Sequence, residues 1–185
     1  MNYSREKLEN RYNKGEVLKY IFFWGHTPNK DGSIGKSCFS QWWVSPFKVE
    51  GIVYKTAEHW MMAEKARLFN DAHALNKIIA CNHPNEAKKW GRKVKNFDPK
   101  LWDVHKYETV VKGNYHKFSQ DKGLKTFLLN TNDRIIVEAS PLDAIWGIGM
   151  AQSNANSDNP NLWKGENLLG FALMEVRDLF KNGKL

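Results

Sequence analysis

Apolar residues change their spacing about a third of the way along the chain. Up to Tyr54 they come in short runs separated by polar, glycine-containing segments. Tyr20-Ile21-Phe22-Phe23-Trp24 is aromatic and β-branched and predicts a strand. Val49 to Tyr54, with Glu50-Gly51 between apolar residues, predicts a small hairpin. Asn29 to Lys36, with Gly32 and Gly35, reads as a polar loop, and Ser4 to Lys19 as a short charged helix or a loosely held arm.

From Thr56 the spacing becomes helical. Thr56 is placed to cap a helix running to about Phe69. Asp71 is placed to cap a second, Ala72 to Cys81. Pro84 opens a third that runs to about Lys95, and Pro99 a fourth from Lys100 to about Ser119, since proline is tolerated in a first helical turn. Leu124 to Leu129 forms a further turn or two, Ile135 to Ala139 a strand, and Asn167 to Lys181 the last helix. The pattern predicts an α+β chain, mainly helical with a few short strands. Residues 1–19 form an arm or short helix and residues 20–185 a single domain.

The helix after Thr56 breaks its own pattern. Glu58, Met62, Lys65 and Phe69 follow a four-three-four spacing and share one face, flanked by Ala57, Met61 and Leu68. That apolar stripe is expected to meet the core, yet a carboxylate and an ammonium hold two of its places. Charges there are costly to bury unless they are paired or line a cavity. Either they line a catalytic cavity, or long charged side chains snorkel out of an ordinary amphipathic helix.

Composition narrows the chemistry. The 185 residues carry a formal net charge of +8, which favours a phosphate-bearing partner. Much of the basic charge lies in Lys88-Lys89-Trp90-Gly91-Arg92-Lys93-Val94-Lys95, where a solvated helix face is the plain alternative. Eight tryptophans are spread along the chain; some belong to the core, and a set beside a pocket would stack on a flat ring. No apolar run is long enough to span a bilayer, and the polar N-terminal segment lacks the apolar stretch of a signal peptide. Cys38 and Cys81 make no disulfide framework, which places the protein in a reducing cytoplasm. The six histidines show no metal-ligand spacing, so neither metal nor cofactor is expected, and His59, one step off the Glu58 face, reads as structural. There is no GxSxG, Walker A or GxGxxG sequence.

A second segment, Glu138 to Gly149, follows the later strand and holds Gly147 and Gly149 beside Trp146. Glycines there let a backbone approach a ligand, and the turn's amides are placed to cradle an anion. Asp143 is placed to orient a ribose hydroxyl or stabilise a developing cation. The alternative is a turn capped by Asp143, with Trp146 in the core.

Several stretches together resemble the NADAR (YbiA-like) family. They are Phe23-Trp24-Gly25, Phe39-Ser40-Gln41-Trp42, Tyr54-x-Thr56-x-Glu58-His59 with Lys65-Ala66, Gly91-Arg92-x-Val94, Trp102, Lys117-Phe118-Ser119-Gln120, Val137 to Gly149, and Trp163 to Arg177. The resemblance covers roughly residues 20–180. It implies a mainly helical α+β fold and N-glycosidase chemistry on a ribosyl C–N bond. The substrates it implies are ADP-ribosylated guanine in nucleic acid or a phosphoribosylamino-pyrimidine of riboflavin synthesis. It implies functional roles for Glu58, Lys65, Asp143 and Trp146. The chain departs from the family pattern at Ala144, where members often carry arginine, and at Met62, where many have glutamine.

Catalysis is therefore expected of Glu58, Lys65 and Asp143. Substrate contacts are expected of Trp24, Gly25, Ser40, Arg92, Trp102, Trp146, Gly147 and Gly149. In this reading Lys65 is the nucleophile and Glu58 the proton shuttle. The alternative function is a non-catalytic module that binds ADP-ribose, an NAD derivative or nucleic acid.

Overall fold

The computed structural model describes residues 2–183; Met1, Lys184 and Leu185 lie outside the described residues. The chain forms two compact units, a middle unit of residues 41–122 and a flanking unit built from the segments up to Ser40 and from Gly123 onward.

The middle unit opens with a hairpin of β2 (Phe47–Val49) and β3 (Ile52–Tyr54), the first strand of the chain, β1, belonging to the other unit. Glu50 and Gly51 both take positive φ, 48° and 83°. Left-handed backbone at both central residues is what a two-residue hairpin turn demands. Four helices follow: α2 (Ala57–Leu68), α3 (Ala72–Ala80), α4 (Pro84–Gly91) and α5 (Pro99–Ser119). Two have the caps their sequence promises: Thr56 Oγ1 accepts from the His59 amide and Asp71 from that of Ala74. The other two are capped by His83, which accepts from the Asn85 amide, and by Asp98, which accepts from those of Lys100 and Leu101.

Helix α2 packs against α3, α4 and α5 at once. Eight of its twelve residues are buried, Glu58 and His59 among them, so the expected single apolar stripe is too narrow a description: the first two turns are enclosed on all sides. Two glycines make this possible. Gly91 of α4 leaves a notch filled by the Met62 thioether, and Gly113 of α5 one filled by the Trp60 indole. In both places a Cβ would collide with the α2 side chain. Met62 thus packs on α4, and its departure from the family pattern is accommodated by a helix contact.

Helix α4 stops at Gly91, four residues short of the expected Lys95. Beyond it, Asp71 draws the chain away: Oδ1 accepts from the Ala74 amide at 3.0 Å and Oδ2 from the Lys95 amide at 2.9 Å. These bonds hold the Asp71 carboxyl below the usual carboxylate range. Asn96 then turns with φ 54°.

In the flanking unit, β1 (Tyr20–Phe23) pairs in parallel with β4 (Ile135–Glu138), in register from Tyr20–Ile135 to Phe23–Glu138. The N-terminal segment forms a helix, α1 (Arg5–Asn13), capped by Ser4, and a reciprocal amide pair joins Asn13 to Asn161. Two 3₁₀ turns, Lys36–Phe39 and Pro160–Leu162, also belong to this unit. Helices α6 (Lys122–Leu129) and α7 (Leu168–Asn182) complete the unit. Phe39 packs edge-on to Phe23 and tilted against Phe127, and α7 packs on β4.

Asn167 replaces a missing neighbour strand. Fully buried at φ 56°, it donates from Nδ2 to Ile136 O at 2.9 Å and accepts at Oδ1 from the Glu138 amide at 3.0 Å. A buried strand edge needs such partners. Gly170, one turn into α7, has no room for a Cβ beside Ile136 O, which sets how closely the helix approaches the strand. Among the described residues no helix is long and apolar enough to cross a membrane.

Candidate active site

The expected site residues fall into one group in each unit. Glu58, Lys65, Arg92 and Trp102 lie in the middle unit; Trp24, Gly25, Ser40, Asp143, Trp146, Gly147 and Gly149 lie in the flanking unit.

In the middle unit the two charges of α2 part company. Glu58, in the first turn, is 3% exposed, and its amide donates to Gln41 O at 2.9 Å. Lys65, in the last turn, is half-buried. Seven residues separate them, about 10.5 Å along a helix axis. The Lys65 side chain ends among rings: Nζ lies 3.9 Å from the Phe97 centroid and 5.8 Å from that of Trp102. Phe97 rides on the segment that Asp71 holds through the Lys95 amide. Burial and, second, the nearby Arg92 guanidinium pull the Lys65 ammonium below the ordinary lysine range. The aromatic faces attract the same group as a cation, which favours the ammonium and works against that shift. The result is an amine seated against aromatic rings, with its pKa lowered by burial and by Arg92.

His59, beside Glu58, is structural in its contacts. Nδ1 lies 2.8 Å from Thr56 Oγ1 and Nε2 lies 3.3 Å from Cys81 O. Donation from Nε2 to the carbonyl and acceptance at Nδ1 from the hydroxyl use the neutral ring. Burial pushes its pKa down.

Below Glu58 lies a buried polar layer that the sequence gives little warning of. Asn114 of α5 donates from Nδ2 to Gln41 Oε1 at 2.8 Å and to Val110 O at 2.9 Å. One turn further, Lys117 is fully buried. Its helical spacing to Asn114 and Gly113 was readable, but a lysine at such a position ordinarily signals a solvated face.

In the flanking unit the segment after β4 turns its polar groups on itself. Asp143 Oδ1 accepts from the Ile145 amide at 2.9 Å and the Trp146 amide at 2.8 Å. The Ile148 amide donates to Glu138 O and the Gly149 amide to Asp143 O. Four amides of the turn are therefore committed inside it, and the anion cradle expected there is not formed by them. The space left by Gly147 is likewise taken by backbone: a Cβ would meet Glu138 O at 2.8 Å and Asp143 O at 3.0 Å. Gly147 serves chain-on-chain packing, and Gly149, at φ 66°, the turn. Trp146 is half-buried and Ala144 exposed.

Trp24 follows β1 and is mostly exposed; Gly25, at φ 77°, turns the chain behind it. Ser40 is half-buried and closes the 3₁₀ turn through its amide to Ser37 O.

Comparison with known proteins identifies the family of the chain. The NADAR domain profile matches residues 22–181. The chain is 44% identical over 168 residues to N-glycosidase R617 of Acanthamoeba polyphaga mimivirus, covering 88% of this chain and 97% of that protein. It is 32% identical over 140 residues to N-glycosidase YbiA of Escherichia coli (strain K12), covering 76% and 79%. The NMR structure of E. coli YbiA superposes with a TM-score of 0.67 at 26% identity, over 90% of this chain and 89% of that one. With a profile spanning nearly the whole chain and a relative matched over almost its full length, the protein belongs to the NADAR domain family.

Proposed function

We propose that this N-glycosyl hydrolase cleaves a ribosyl C–N bond with Lys65 as the nucleophile and Glu58 as the proton shuttle. The observation that carries the reading is the seat of Lys65: an amine at the end of a buried helix, against Phe97 and Trp102, its proton loosened by burial and by Arg92.

In the chemistry that fits, cleavage builds positive charge at the anomeric carbon, as in glycoside hydrolysis. Glu58 gives a proton to the departing nitrogen as the C–N bond breaks. The neutral Lys65 amine bonds to the anomeric carbon. The sugar ring opens as the amine's lone pair forms the imine, with the ring oxygen taking up a proton. Water adds to the imine carbon, and the carbon–lysine bond breaks to release the free sugar and the amine. The positive charge of the protonated imine falls where the ammonium now sits, over the Phe97 face.

The surroundings of Lys65 favour a substrate rich in phosphate. Residues 72–97 carry six lysines and arginines against one glutamate. Lys88 Nζ lies 5.8 Å from the Trp42 ring centroid and Lys93 Nζ 5.1 Å from that of Trp90. This supports an ADP-ribosyl group on guanine in nucleic acid; a phosphoribosylamino-pyrimidine is the smaller substrate of the same reaction. Cys38 and Cys81 form no disulfide among the described residues, which suits a reducing cytoplasm.

The test is borohydride reduction during turnover, followed by peptide mass spectrometry. A sugar adduct on Lys65 is expected, and none in Lys65→Ala, which should be folded and inactive. A folded Lys65→Ala enzyme that still turns over would remove the imine mechanism. A wild-type protein that binds ADP-ribosyl and phosphoribosyl compounds without releasing product would make it a binding module.

A further inference from the structure

Glu58 sits on a turn that its own helix does not fully cap. Thr56 Oγ1 takes the His59 amide and Thr56 O that of Trp60, while the Glu58 amide goes outside the helix, to Gln41 O at 2.9 Å. Gln41 lies in a turn ahead of β2, where neither sheet nor helix fixes its place. Its side chain does so instead. Oε1 accepts from Asn114 Nδ2 at 2.8 Å, and the same Nδ2 donates to Val110 O at 2.9 Å, one turn back in α5. Next to Asn114, Gly113 receives the Trp60 indole, whose Nε1 donates to Thr109 O at 2.9 Å. The first turns of α2 are thus tied to α5 twice, directly through Trp60 and indirectly through Gln41. The indirect tie is costly. Gln41 is 7% exposed and Asn114 fully buried, yet Gln41 Nε2 and Asn114 Oδ1 make no hydrogen bond among the described residues. A buried donor or acceptor left unsatisfied has lost its hydration without return, and two apolar side chains of similar shape would fill the same space without that cost. Stability therefore does not account for the pair. What the bond adds is a fixed distance and angle for the Gln41 segment, which apolar contact does not impose.

We propose that Gln41 and Asn114 are positioning residues for Glu58. Asn114 anchors the Gln41 segment to α5, and Gln41 O anchors the first turn of α2, which carries the Glu58 side chain. Neither amide takes part in the chemistry; each acts through the carboxylate. The inference rests on the reading of Glu58 as the proton shuttle. A proton donor has to lie within hydrogen-bond reach of the departing nitrogen, and a misplacement of about 1 Å costs on the order of a hundredfold in rate. A main-chain bond to the very residue that bears the carboxylate is a short lever, so little movement is lost between the anchor and the group it places.

The test is steady-state turnover of an oligonucleotide ADP-ribosylated at guanine and of a phosphoribosylamino-pyrimidine, with thermal midpoints read on the same samples. Gln41→Met/Asn114→Leu replaces both amides by apolar side chains. It should keep or raise the midpoint and lower kcat by about ten- to a hundredfold, with KM unchanged. Asn114→Ala cuts the same link by removing atoms and should lower kcat as far. Gln41→Asn/Asn114→Gln exchanges the two amides, keeps their combined length and should restore most of kcat, which a loss of packing alone would not explain. Wild-type kcat in a folded Gln41→Met/Asn114→Leu protein would overturn the proposal. A raised KM with kcat kept would also overturn it, by making Gln41 a substrate contact. Unfolding of both Gln41→Met/Asn114→Leu and Asn114→Ala would do the same, by making the pair a packing element. Glu58→Gln separates this inference from the reading beneath it. A fully active Glu58→Gln enzyme would sink both, because Glu58 then carries no proton. A folded, inactive Glu58→Gln beside a fully active Gln41→Met/Asn114→Leu would sink the positioning role alone.

Discussion

Helix α2 and the segment Glu138–Gly149 look alike in the sequence, each combining acids and a tryptophan with a run of small or apolar residues, yet the fold uses them in opposite ways. Along α2 the backbone satisfies itself through the helix, so its charged side chains are left for other work. Lys65 ends against aromatic faces rather than in an ion pair with its own helix. After β4 no regular structure absorbs the backbone, and the polar side chain is spent on it: Asp143 Oδ1 takes two amides of its own turn. A chemistry-bearing residue in a helix is thus more available than the same residue type in an irregular turn, because buried amides must find acceptors and the nearest carboxylate is drafted.

The contrast predicts that substituting the Lys65 side chain of α2 costs activity before stability, and that substitutions in the turn do the reverse. The largest separation should come from Lys65→Ala, with turnover falling to background and a thermal midpoint close to wild type, read by product release and calorimetry. If Lys65→Ala unfolds the protein instead, the lysine is a packing residue and the contrast fails.

Next in size is Gly147→Ala, which forces a methyl against Glu138 O and Asp143 O. Overpacking of this kind costs about 1–3 kcal/mol, measurable by urea unfolding at constant denaturant slope. A stable Gly147→Ala protein would mean the turn moves freely.

Asp143→Ala and Asp143→Asn sharpen the assignment of that aspartate. Alanine removes the one acceptor that serves two amides and should destabilise by about 1–3 kcal/mol. Asparagine keeps an acceptor oxygen and should restore most of the stability. Wild-type activity in Asp143→Asn would confine Asp143 to the turn, whereas a folded, inactive Asp143→Asn would return a chemical role to its charge.

The smallest effect is expected from Arg92→Ala. Arg92 contributes to the lowered pKa of Lys65. Removing it raises that pKa, so less of the amine is neutral at a given pH. The acid limb of the rate–pH profile should move to higher pH, with the plateau above it unchanged when substrate is saturating. A shift to lower pH, or none, would break the electrostatic link between the two residues.

Much of the skeleton was legible before any coordinates. The caps at Thr56 and Asp71, the Glu50-Gly51 hairpin turn, the prolines that open α4 and α5, and the strands β1 and β4 all depend on neighbours within a few residues. The family resemblance likewise rests on short stretches in order, and the profile over residues 22–181 bears it out. Misplaced boundaries had distant causes. α4 ends early where Asp71, 24 residues away, takes the Lys95 amide.

What the sequence by itself determined, then, is the set of elements, the α+β class, the family and the two charges of α2, because periodicity, capping and turn chemistry act over a few residues. Only the tertiary structure decided that α2 packs against three helices at once, that Met62 fills the notch at Gly91, that Asn167 stands in for a strand and that Lys117 is buried. It alone set the Lys65 amine against Phe97. Each of these depends on which surfaces meet across tens of residues, and burial, desolvation and ring contacts exist only once those surfaces have met.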